Sequence, residues 1–243
     1  MNDERRNFVK LFGGATLALA GLGRAELARA TGGAEQNGPL WAMVVDLRLC
    51  IGCQACTVGC GVENQVPPGS FRTLVATYEV SMRKEPRRYT LPRLCNHCEK
   101  PPCVTVCPTQ ATTKRNDGVV VVDNTVCIGC GYCIQACPYD ARYINETTRT
   151  ADKCTFCLHR LEAGLLPACV ETCVSGARVF GDLNDPRSAV AKLLRNHPVQ
   201  VLKQEMGTGP RVFYIGLDEA FSQRLHGSQV LVPAGTAAEE EAL

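Results

Sequence analysis

Sixteen cysteines are the residues in this 243-residue sequence whose type and spacing can carry chemistry. All of them lie between Cys50 and Cys173, in four groups of four. A cysteine thiolate is a soft metal ligand and a redox-active group, so this density indicates metal ligation or disulfide bridges. No nucleophile–base–acid set, P-loop or dinucleotide fingerprint accompanies the cysteines. The cysteines are therefore the candidate functional residues.

The third group has the spacing of a bacterial ferredoxin. Cys127, Cys130 and Cys133 are separated by two residues each, and Cys137 follows after three more, directly before Pro138. Three thiolates at this spacing wrap one loop around a cubic iron–sulfur cluster, and the fourth cysteine ligates a neighbouring cluster. The spacing therefore predicts ligation of 4Fe-4S clusters.

The other three groups are variants of this spacing. The first repeats it with Gly61 in place of the proline, the second is widened by two residues at Pro101-Pro102, and the fourth contains a loop of eleven residues. Four groups in tandem that use every cysteine predict four clusters and a role in electron transfer. The groups are Cys50, Cys53, Cys56, Cys60; Cys95, Cys98, Cys103, Cys107; Cys127, Cys130, Cys133, Cys137; and Cys154, Cys157, Cys169, Cys173.

The elements that must position the cysteines form an internal repeat. Residues 44–60, the first repeat, recur 77 positions later as residues 121–137, the second repeat, with Val-Val-Asp before Cys-Ile-Gly-Cys in both. In each repeat a short strand leads into a cysteine loop, and we expect a short helix to begin at the last cysteine. Two copies of one strand-loop-helix unit predict a duplicated ferredoxin module.

The amino terminus has the features of an export signal. Arg5 and Arg6 precede an apolar run over 11–23, and Ala28-Arg29-Ala30 offers a cleavage site, which is typical of the twin-arginine route. Thirteen apolar residues are fewer than the ~20 that a spanning helix needs. Residues 1–30 therefore predict export to the periplasm without a membrane span; an amphipathic helix is the alternative.

The rest of the chain divides by composition. Residues 31–40 are a linker, 41–186 hold the cysteines, and 187–243 form a C-terminal extension with an acidic tail. Within the extension, 187–203 predicts a helix and 212–216 a buried strand. The net charge of +2 gives no indication of nucleic-acid binding.

Zinc and disulfides are the alternatives to iron–sulfur clusters. Zinc ribbons use two CxxC pairs per site, whereas two groups here have a third cysteine at the same spacing. Disulfides suit an exported protein, but twin-arginine export carries folded proteins, which suits a cofactor inserted beforehand. An exported zinc or disulfide scaffold stays open as an alternative of another class. We interpret His97 as a loop residue and the other histidines, His159, His197 and His226, as surface or packing residues.

The chain resembles the four-cluster iron–sulfur subunits of the complex iron–sulfur molybdoenzyme family. The resemblance covers about residues 41–221 and is carried by the cysteine-containing segments 46–53, 91–98, 151–157 and 161–171, together with 212–218. It implies an α+β fold of duplicated bacterial-ferredoxin-like domains related by a pseudo-twofold axis, with loop insertions and the C-terminal extension.

The resemblance also implies which cysteines share a cluster, because the first group shares clusters with the fourth and the second with the third. Some relatives lack the counterpart of Cys130, so its presence here implies four complete 4Fe-4S clusters. Set 1 is Cys50, Cys53, Cys56 and Cys173; set 2 is Cys60, Cys154, Cys157 and Cys169; set 3 is Cys95, Cys98, Cys103 and Cys137; set 4 is Cys107, Cys127, Cys130 and Cys133.

The same resemblance implies partners on both sides of the chain. An integral membrane subunit that oxidises quinol supplies electrons at set 4, and a molybdopterin catalytic subunit receives them from set 1 in the periplasm. No catalytic residue is expected in this chain. The chain most resembles subunits of complexes that reduce tetrathionate; polysulfide, thiosulfate, arsenate and nitrite are alternatives, because the acceptor binds elsewhere.

Overall fold

The computed structural model describes residues 38–82, 85–218 and 221–222. The expected export signal, residues 31–37 of the linker, His226 and the acidic tail lie outside these residues. The described chain is a mixture of small sheets and short helices, which places it in the α+β class. The expected α+β class is confirmed.

Ten strands and six short helices occur in the described ranges. In chain order they are β1 (Trp41–Asp46), α1 (Ala55–Glu63), β2 (Thr73–Met82), β3 (Glu85–Leu94), α2 (Pro102–Thr105), β4 (Thr112–Lys114), β5 (Val120–Val122), α3 (Tyr132–Gln135), β6 (Tyr143–Ile144), β7 (Ala151–Asp152), α4 (Leu158–Glu162), α5 (Ala168–Glu171), β8 (Arg178–Asp182), α6 (Ala189–Asn196), β9 (Val199–Gln200) and β10 (Val212–Ile215).

The largest sheet has four strands in the order β8-β1-β10-β9. Strand β1 is antiparallel to β8 and parallel to β10, and its residues Ala42 to Val45 are fully buried. The strand expected at 212–216 is confirmed as β10, one residue shorter. Because β10 lies beside β1, residues after 187 complete the sheet that the first repeat begins.

Side chains of β1 alternate between two apolar clusters, as the period of two in a strand requires. Met43 and Val45 face the main core, which also contains buried cysteines. Ala42 and Val44 face a smaller cluster that includes Val190 of α6. The first strand therefore joins the cysteine region to the carboxyl-terminal helix.

Helix α6 corrects the expected helix over 187–203. It begins after Ser188, whose hydroxyl accepts a hydrogen bond from the Ala191 N–H at 3.1 Å, and it ends at Asn196. His197 is extended because it precedes Pro198, and a residue before proline is disfavoured in the α region. The segment beyond 196 continues as β9 instead of helix.

A long hairpin that the sequence analysis did not include links the two repeats. Strands β2 and β3 are antiparallel, and their pairing begins with Thr73 opposite Leu94 and continues to the turn. The Tyr214 hydroxyl donates to the Pro92 carbonyl at 2.9 Å, and the Arg93 guanidinium donates to the Tyr139 carbonyl at 2.8 Å. The hairpin is thus held to the four-stranded sheet on one side and to the segment after Cys137 on the other.

The expectation that a helix begins at the last cysteine of each repeat is wrong. Helices α1, α2, α3 and α5 each contain the third cysteine of a group, and the fourth lies at or just beyond the helix end, except Cys60 within α1. In the two repeats the residue before the helix, Gln54 or Gly131, is left-handed with φ 64° or 76°. That conformation turns the chain into the helix before the third cysteine.

Candidate functional site

The two repeats anchor their strands in the same way. The Asp46 N–H donates to the Ala177 carbonyl at 2.8 Å, and the Asp123 N–H donates to the Ala111 carbonyl at 2.8 Å. Helix α1 packs against α5, and α2 packs against α3. Each repeat is therefore paired with a segment that carries another cysteine group.

The loop after each strand depends on a glycine. Gly52 and Gly129 have φ of 71° and 68°, in the region that glycine enters without steric cost. A Cβ on Gly129 would lie 2.4 Å from the Arg149 carbonyl oxygen, whereas a Cβ on Gly52 would meet only the Thr90 side chain at 3.3 Å. Glycine in the second repeat is thus required by a close backbone approach as well as by φ.

The cysteines expected in set 1 line one cavity. Its walls include Cys50, Cys53, Cys56 and Cys173, together with Arg178. Cys53 is exposed and Cys56 is buried. Cys173 comes from the fourth group, more than a hundred residues after the other three, and β8 beside β1 brings it there.

A second cavity is lined by the cysteines expected in set 3. Cys95, Cys98 and Cys103 of the second group meet Cys137 of the third group there, with Arg142 in the same wall. The first three thiols are buried and Cys137 is half-buried. The cysteines of the second and third groups thus converge on one space.

The expected set 2 is brought together in the core. The Asn64 side-chain amide lies 3.5 Å from the Cys60 sulfur and 3.6 Å from the Cys157 sulfur. The Cys60 thiol interacts electrostatically with Cys169 and Cys157, and the Cys154 thiol does so with Cys60 and Cys169. All four of these cysteines are buried.

The expected set 4 is assembled less tightly. Cys127 and Cys133 belong to one apolar cluster, and α2, which ends just before Cys107, packs against α3, which carries Cys133. Cys130 is exposed on the loop between Cys127 and Cys133, whereas Cys133 is buried. The set therefore has one exposed member, Cys130.

All sixteen cysteines fall within the described residues, and all are free of disulfide bonds. Within those ranges no group of three or more His, Cys, Asp or Glu side chains could hold a single metal ion. The donors instead occur as sets of thiols around shared spaces, and four cysteine thiolates are the ligand set of a 4Fe-4S cluster. A wider cleft lined by residues 69–74 and 139–143 contains no cysteine.

Burial raises the pKa of several of these thiols. Burial raises the pKa of Cys60 and of Cys98 to about 12 and raises the pKa of Cys154 well above its usual value. A thiol must lose its proton to ligate a metal, so a nearby positive charge is needed to stabilise these thiolates in the core. The buried sulfurs are suited to a bound metal cluster and not to free thiolates.

Cys107 and Cys173 behave differently because backbone N–H groups point at their sulfurs. For each, partial burial acts to raise the pKa, but hydrogen bonds bring it below its usual value. The Thr112 N–H lies 3.5 Å from the Cys107 sulfur, and the Arg178 N–H is a donor to Cys173. Such donors stabilise the thiolate and are a known means of tuning iron–sulfur clusters.

Three buried basic residues lie beside the cysteines and were not predicted from the sequence: Arg142, Lys153 and Arg178. For the two arginines a signal existed, since each follows the fourth cysteine of its group by five residues. His97 lies in the loop as interpreted, where its Nδ1 accepts the Val120 N–H at 3.0 Å and its ring stacks on Phe156 at 3.8 Å. His159 is largely exposed and pairs with Glu63.

Comparison with known proteins shows which family this chain is similar to. Residues 87–183 match the family model described as a 4Fe-4S dicluster domain. The chain is similar to the B subunit of tetrathionate reductase from Salmonella typhimurium, with 62% identity over 191 residues, covering 77% of this chain and 76% of the relative.

Further relatives belong to other reductases. The B component of polysulfide reductase from Wolinella succinogenes is 42% identical over 181 residues, covering 72% of this chain and 93% of the relative. The iron–sulfur subunit of the arsenate respiratory reductase of a Shewanella species is 39% identical over 222 residues, covering 71% and 94%.

Proposed function

This protein belongs to the family of iron–sulfur subunits of the complex iron–sulfur molybdoenzymes, and from that premise we propose that it relays electrons to a tetrathionate-reducing partner. The observation that carries the proposal is the convergence of cysteines from different groups on two shared cavities. Bound iron–sulfur clusters supply one-electron transfer, and the protein fixes their positions and surroundings.

We propose four 4Fe-4S clusters, ligated by sets 1 to 4. Support comes from the cavities of sets 1 and 3 and from the electrostatic contacts within set 2. We assign Cys107, Cys127, Cys130 and Cys133 to the fourth cluster, on the packing of α2 against α3. Each fourth cysteine then completes the cluster of another group, as in two-cluster ferredoxins.

We also propose that the chain contains two ferredoxin-like domains that arose by duplication. The matching hydrogen bonds of Asp46 and Asp123, the matching left-handed glycines and the matching helix pairs support it. In this arrangement the first and fourth groups build one domain, and the second and third groups build the other.

The two ends of the proposed relay are exposed, and its middle is buried. Cys53 of set 1 and Cys130 of set 4 are exposed, and beside them Ile51 and Ile128 are 69% and 67% exposed. Apolar surface next to an exposed cysteine suits a docked partner. The resemblance to the molybdoenzyme subunits gives the direction, and on that basis we assign set 4 to the membrane quinol-oxidising subunit and set 1 to the molybdopterin catalytic subunit.

For its location we propose the periplasmic face of the cytoplasmic membrane, reached by twin-arginine export. Among the described residues no helix is long and apolar enough to cross a membrane. Replacement of Arg5 and Arg6 by lysine is expected to leave a cluster-loaded protein in the cytoplasm. Normal export of that double variant, detected by fractionation, would contradict the assignment.

The function is tested on the purified complex. Reduced viologen is the electron donor, and tetrathionate, polysulfide and arsenate are compared as acceptors. We expect oxidation of the donor with tetrathionate, and about sixteen iron atoms per copy of this chain, as four cubes require. Turnover with another acceptor alone would reassign the partner, and stoichiometric zinc without iron would overturn the electron-transfer role itself.

The direction of the relay is tested by a matched pair of variants, Cys53→Ser and Cys130→Ser. We expect each variant to convert one cluster to a three-iron form that is visible by EPR after oxidation. Cys130→Ser is expected to slow electron input from quinol more than input from a small donor that reaches set 1. Cys53→Ser is expected to slow delivery to the acceptor with either donor. Equal behaviour of the two variants would contradict the assigned ends.

A further inference from the structure

We infer that Arg178, Lys153 and Arg142 raise the reduction potentials of the proposed clusters, with one of these buried cations at each junction between consecutive sets. The inference rests on the proposed function, since it concerns the groups that the cysteine sets would hold. Each residue is at most 5% exposed. Burial of a basic side chain without a carboxylate partner is costly, so its position needs an explanation.

Arg178 lies between sets 1 and 2. Its side chain is in the wall of the cavity of set 1, and its charge interacts with Cys56 of set 1 and Cys169 of set 2. Its guanidinium donates to the Thr73 hydroxyl at 2.8 Å and lies 3.8 Å from the Met43 sulfur. Because these partners are neutral, they do not cancel the positive charge of Arg178, which acts on the thiols of sets 1 and 2.

Lys153 lies between sets 2 and 3. Its ammonium donates to the carbonyl of Cys154, a member of set 2, at 2.7 Å, and to the carbonyl of Val120. Val120 is part of the wall of the set 3 cavity. The Lys153 ammonium is therefore hydrogen-bonded both to the backbone of set 2 and to a residue that lines the set 3 cavity.

Arg142 lies between sets 3 and 4. Its guanidinium donates to the Cys103 sulfur of set 3 at 3.0 Å and to the Thr112 hydroxyl at 3.3 Å. Its charge also interacts with the Cys133 thiol of set 4. Arg142 thus acts on thiols that belong to two different sets.

The three residues share a physical consequence. Reduction of a cluster adds negative charge, and a fixed positive charge in a core of low dielectric stabilises that added charge. A cation at a junction acts on both neighbouring sets, so it raises the reduction potentials of both.

Two other arginines differ in their partners. The buried Arg211 is 6% exposed and pairs with the Glu99 carboxylate, and the half-buried Arg72 pairs with Asp152 at 2.8 Å. Within the described part of the chain, the hydrogen-bond partners of the three junction cations are hydroxyls, carbonyls and sulfurs. The difference supplies a matched control, because Arg211 is as buried as the junction cations but already neutralised.

The test is an EPR-monitored redox titration of the isolated, cluster-loaded chain and of its Arg178→Met, Lys153→Met and Arg142→Met variants. We expect a fall of at least tenfold in the equilibrium constant for reduction, about 59 mV for one electron, at the two sets beside the replaced residue. Arg142→Met should leave set 1 unchanged, and Arg178→Met should leave set 4 unchanged.

Two further variants separate charge from structure. Arg142→Lys retains the positive charge, so its potentials should shift by only a small fraction of the shift seen in Arg142→Met. Arg211→Met should leave all the potentials unchanged. If a Met variant binds less iron, Gln at the same position provides the neutral comparison. Normal iron content with unchanged or uniformly shifted potentials would overturn this inference and leave the proposed function intact. Absence of iron–sulfur EPR signals from the unmutated chain would instead overturn the proposed function.

Discussion

The first repeat begins with β1 in the middle of a four-stranded sheet, whereas the second begins with β5 in a pair of three-residue strands. Four residues of β1 are fully buried, but Val121 and Val122 of the second repeat are only half-buried. The cysteine loops that follow nevertheless have matching glycine φ values. The loop geometry is thus determined locally, by cysteine and glycine spacing, and does not depend on the size of the sheet that supports it.

The helices after the two loops differ in length because the residue after the fourth cysteine is glycine in the first repeat and proline in the second. Helix α1 has nine residues and continues past Cys60 and Gly61, whereas α3 has four and ends before Cys137 and Pro138. Proline lacks the N–H that a helix interior needs, and it disfavours the α region in the residue before it. Cys60 therefore lies within a helix and Cys137 beyond one, although they occupy equivalent positions of the repeat.

The largest effect is expected when proline is moved to the first repeat. Gly61→Pro should break the last turn of α1 at a cost of about 3 kcal/mol. For a chain of this size that loss lowers the midpoint temperature of unfolding by about 6–12 °C. Because the proline also forces Cys60 out of its helical conformation, iron at set 2 should be lost first, as judged by iron analysis and EPR.

Gly61→Ala is the control for this change. A Cβ at Gly61 meets no atom within 4 Å, and the residue is in a helix. Alanine there should stabilise the chain by about 0.5–1 kcal/mol. A Gly61→Pro variant with unchanged iron content and midpoint would show that Cys60 does not need the helix.

A smaller difference is expected between the two loop glycines. Alanine at Gly52 or at Gly129 costs about 1–2 kcal/mol from positive φ alone. Gly129→Ala adds a clash with the Arg149 carbonyl, so its midpoint should fall further than that of Gly52→Ala. Thermal unfolding of the two cluster-loaded variants measures the difference. Equal losses would mean that the segment at Arg149 moves away without cost.

The cysteine spacing was sufficient to predict the iron–sulfur chemistry of the candidate site. The groups, the repeat and the strand at 212–215 could be predicted because each depends on short-range pattern, and the family confirms the iron–sulfur interpretation. The position of the helices was mispredicted by about one turn, because the left-handed Gln54 gives no clear sequence signal. A non-glycine residue with positive φ is uncommon, so local propensity argued against it.

Long-range contacts were the part that sequence could not supply. Nothing in residues 73–94 identified a hairpin of two ten-residue strands, since Pro86 and Pro92 argue against regular strands. The burial of Lys153 was equally hidden, because a lysine next to a cysteine is normally solvated. Its position follows from the hydrogen bond of its ammonium to the Val120 carbonyl of β5, which only the fold reveals.

The smallest expected effect concerns Asp46, the last residue of β1, and Asp123, which directly follows β5. Hydrogen bonds from the Arg48 side chain lower the pKa of Asp46, and hydrogen bonds from Thr125 lower that of Asp123. Asp46 pairs with Arg48 at 2.7 Å, but the Arg48 side chain is 54% exposed, so solvent screens the pair. Removal of such a pair costs about 0.5–1 kcal/mol, and we expect Asp46→Asn to lower the midpoint by about 1–4 °C at pH 7.

The stability that Asp46 contributes depends on pH because folding lowers its pKa. A carboxylate whose pKa is lowered by folding contributes stability that is present above the ordinary value of 3.8 and is lost as the pH falls through the lower folded value. The difference between the unmutated chain and Asp46→Asn should therefore be constant from pH 7 to pH 5 and should shrink below pH 4. Asp123→Asn should have the smaller effect at pH 7, because an asparagine side chain can still accept the Thr125 N–H that now donates at 2.8 Å. An equal fall of the midpoint in both variants would contradict this prediction. It would show that the Asp46–Arg48 ion pair adds no stability beyond the hydrogen bond that each aspartate accepts from the N–H two residues later.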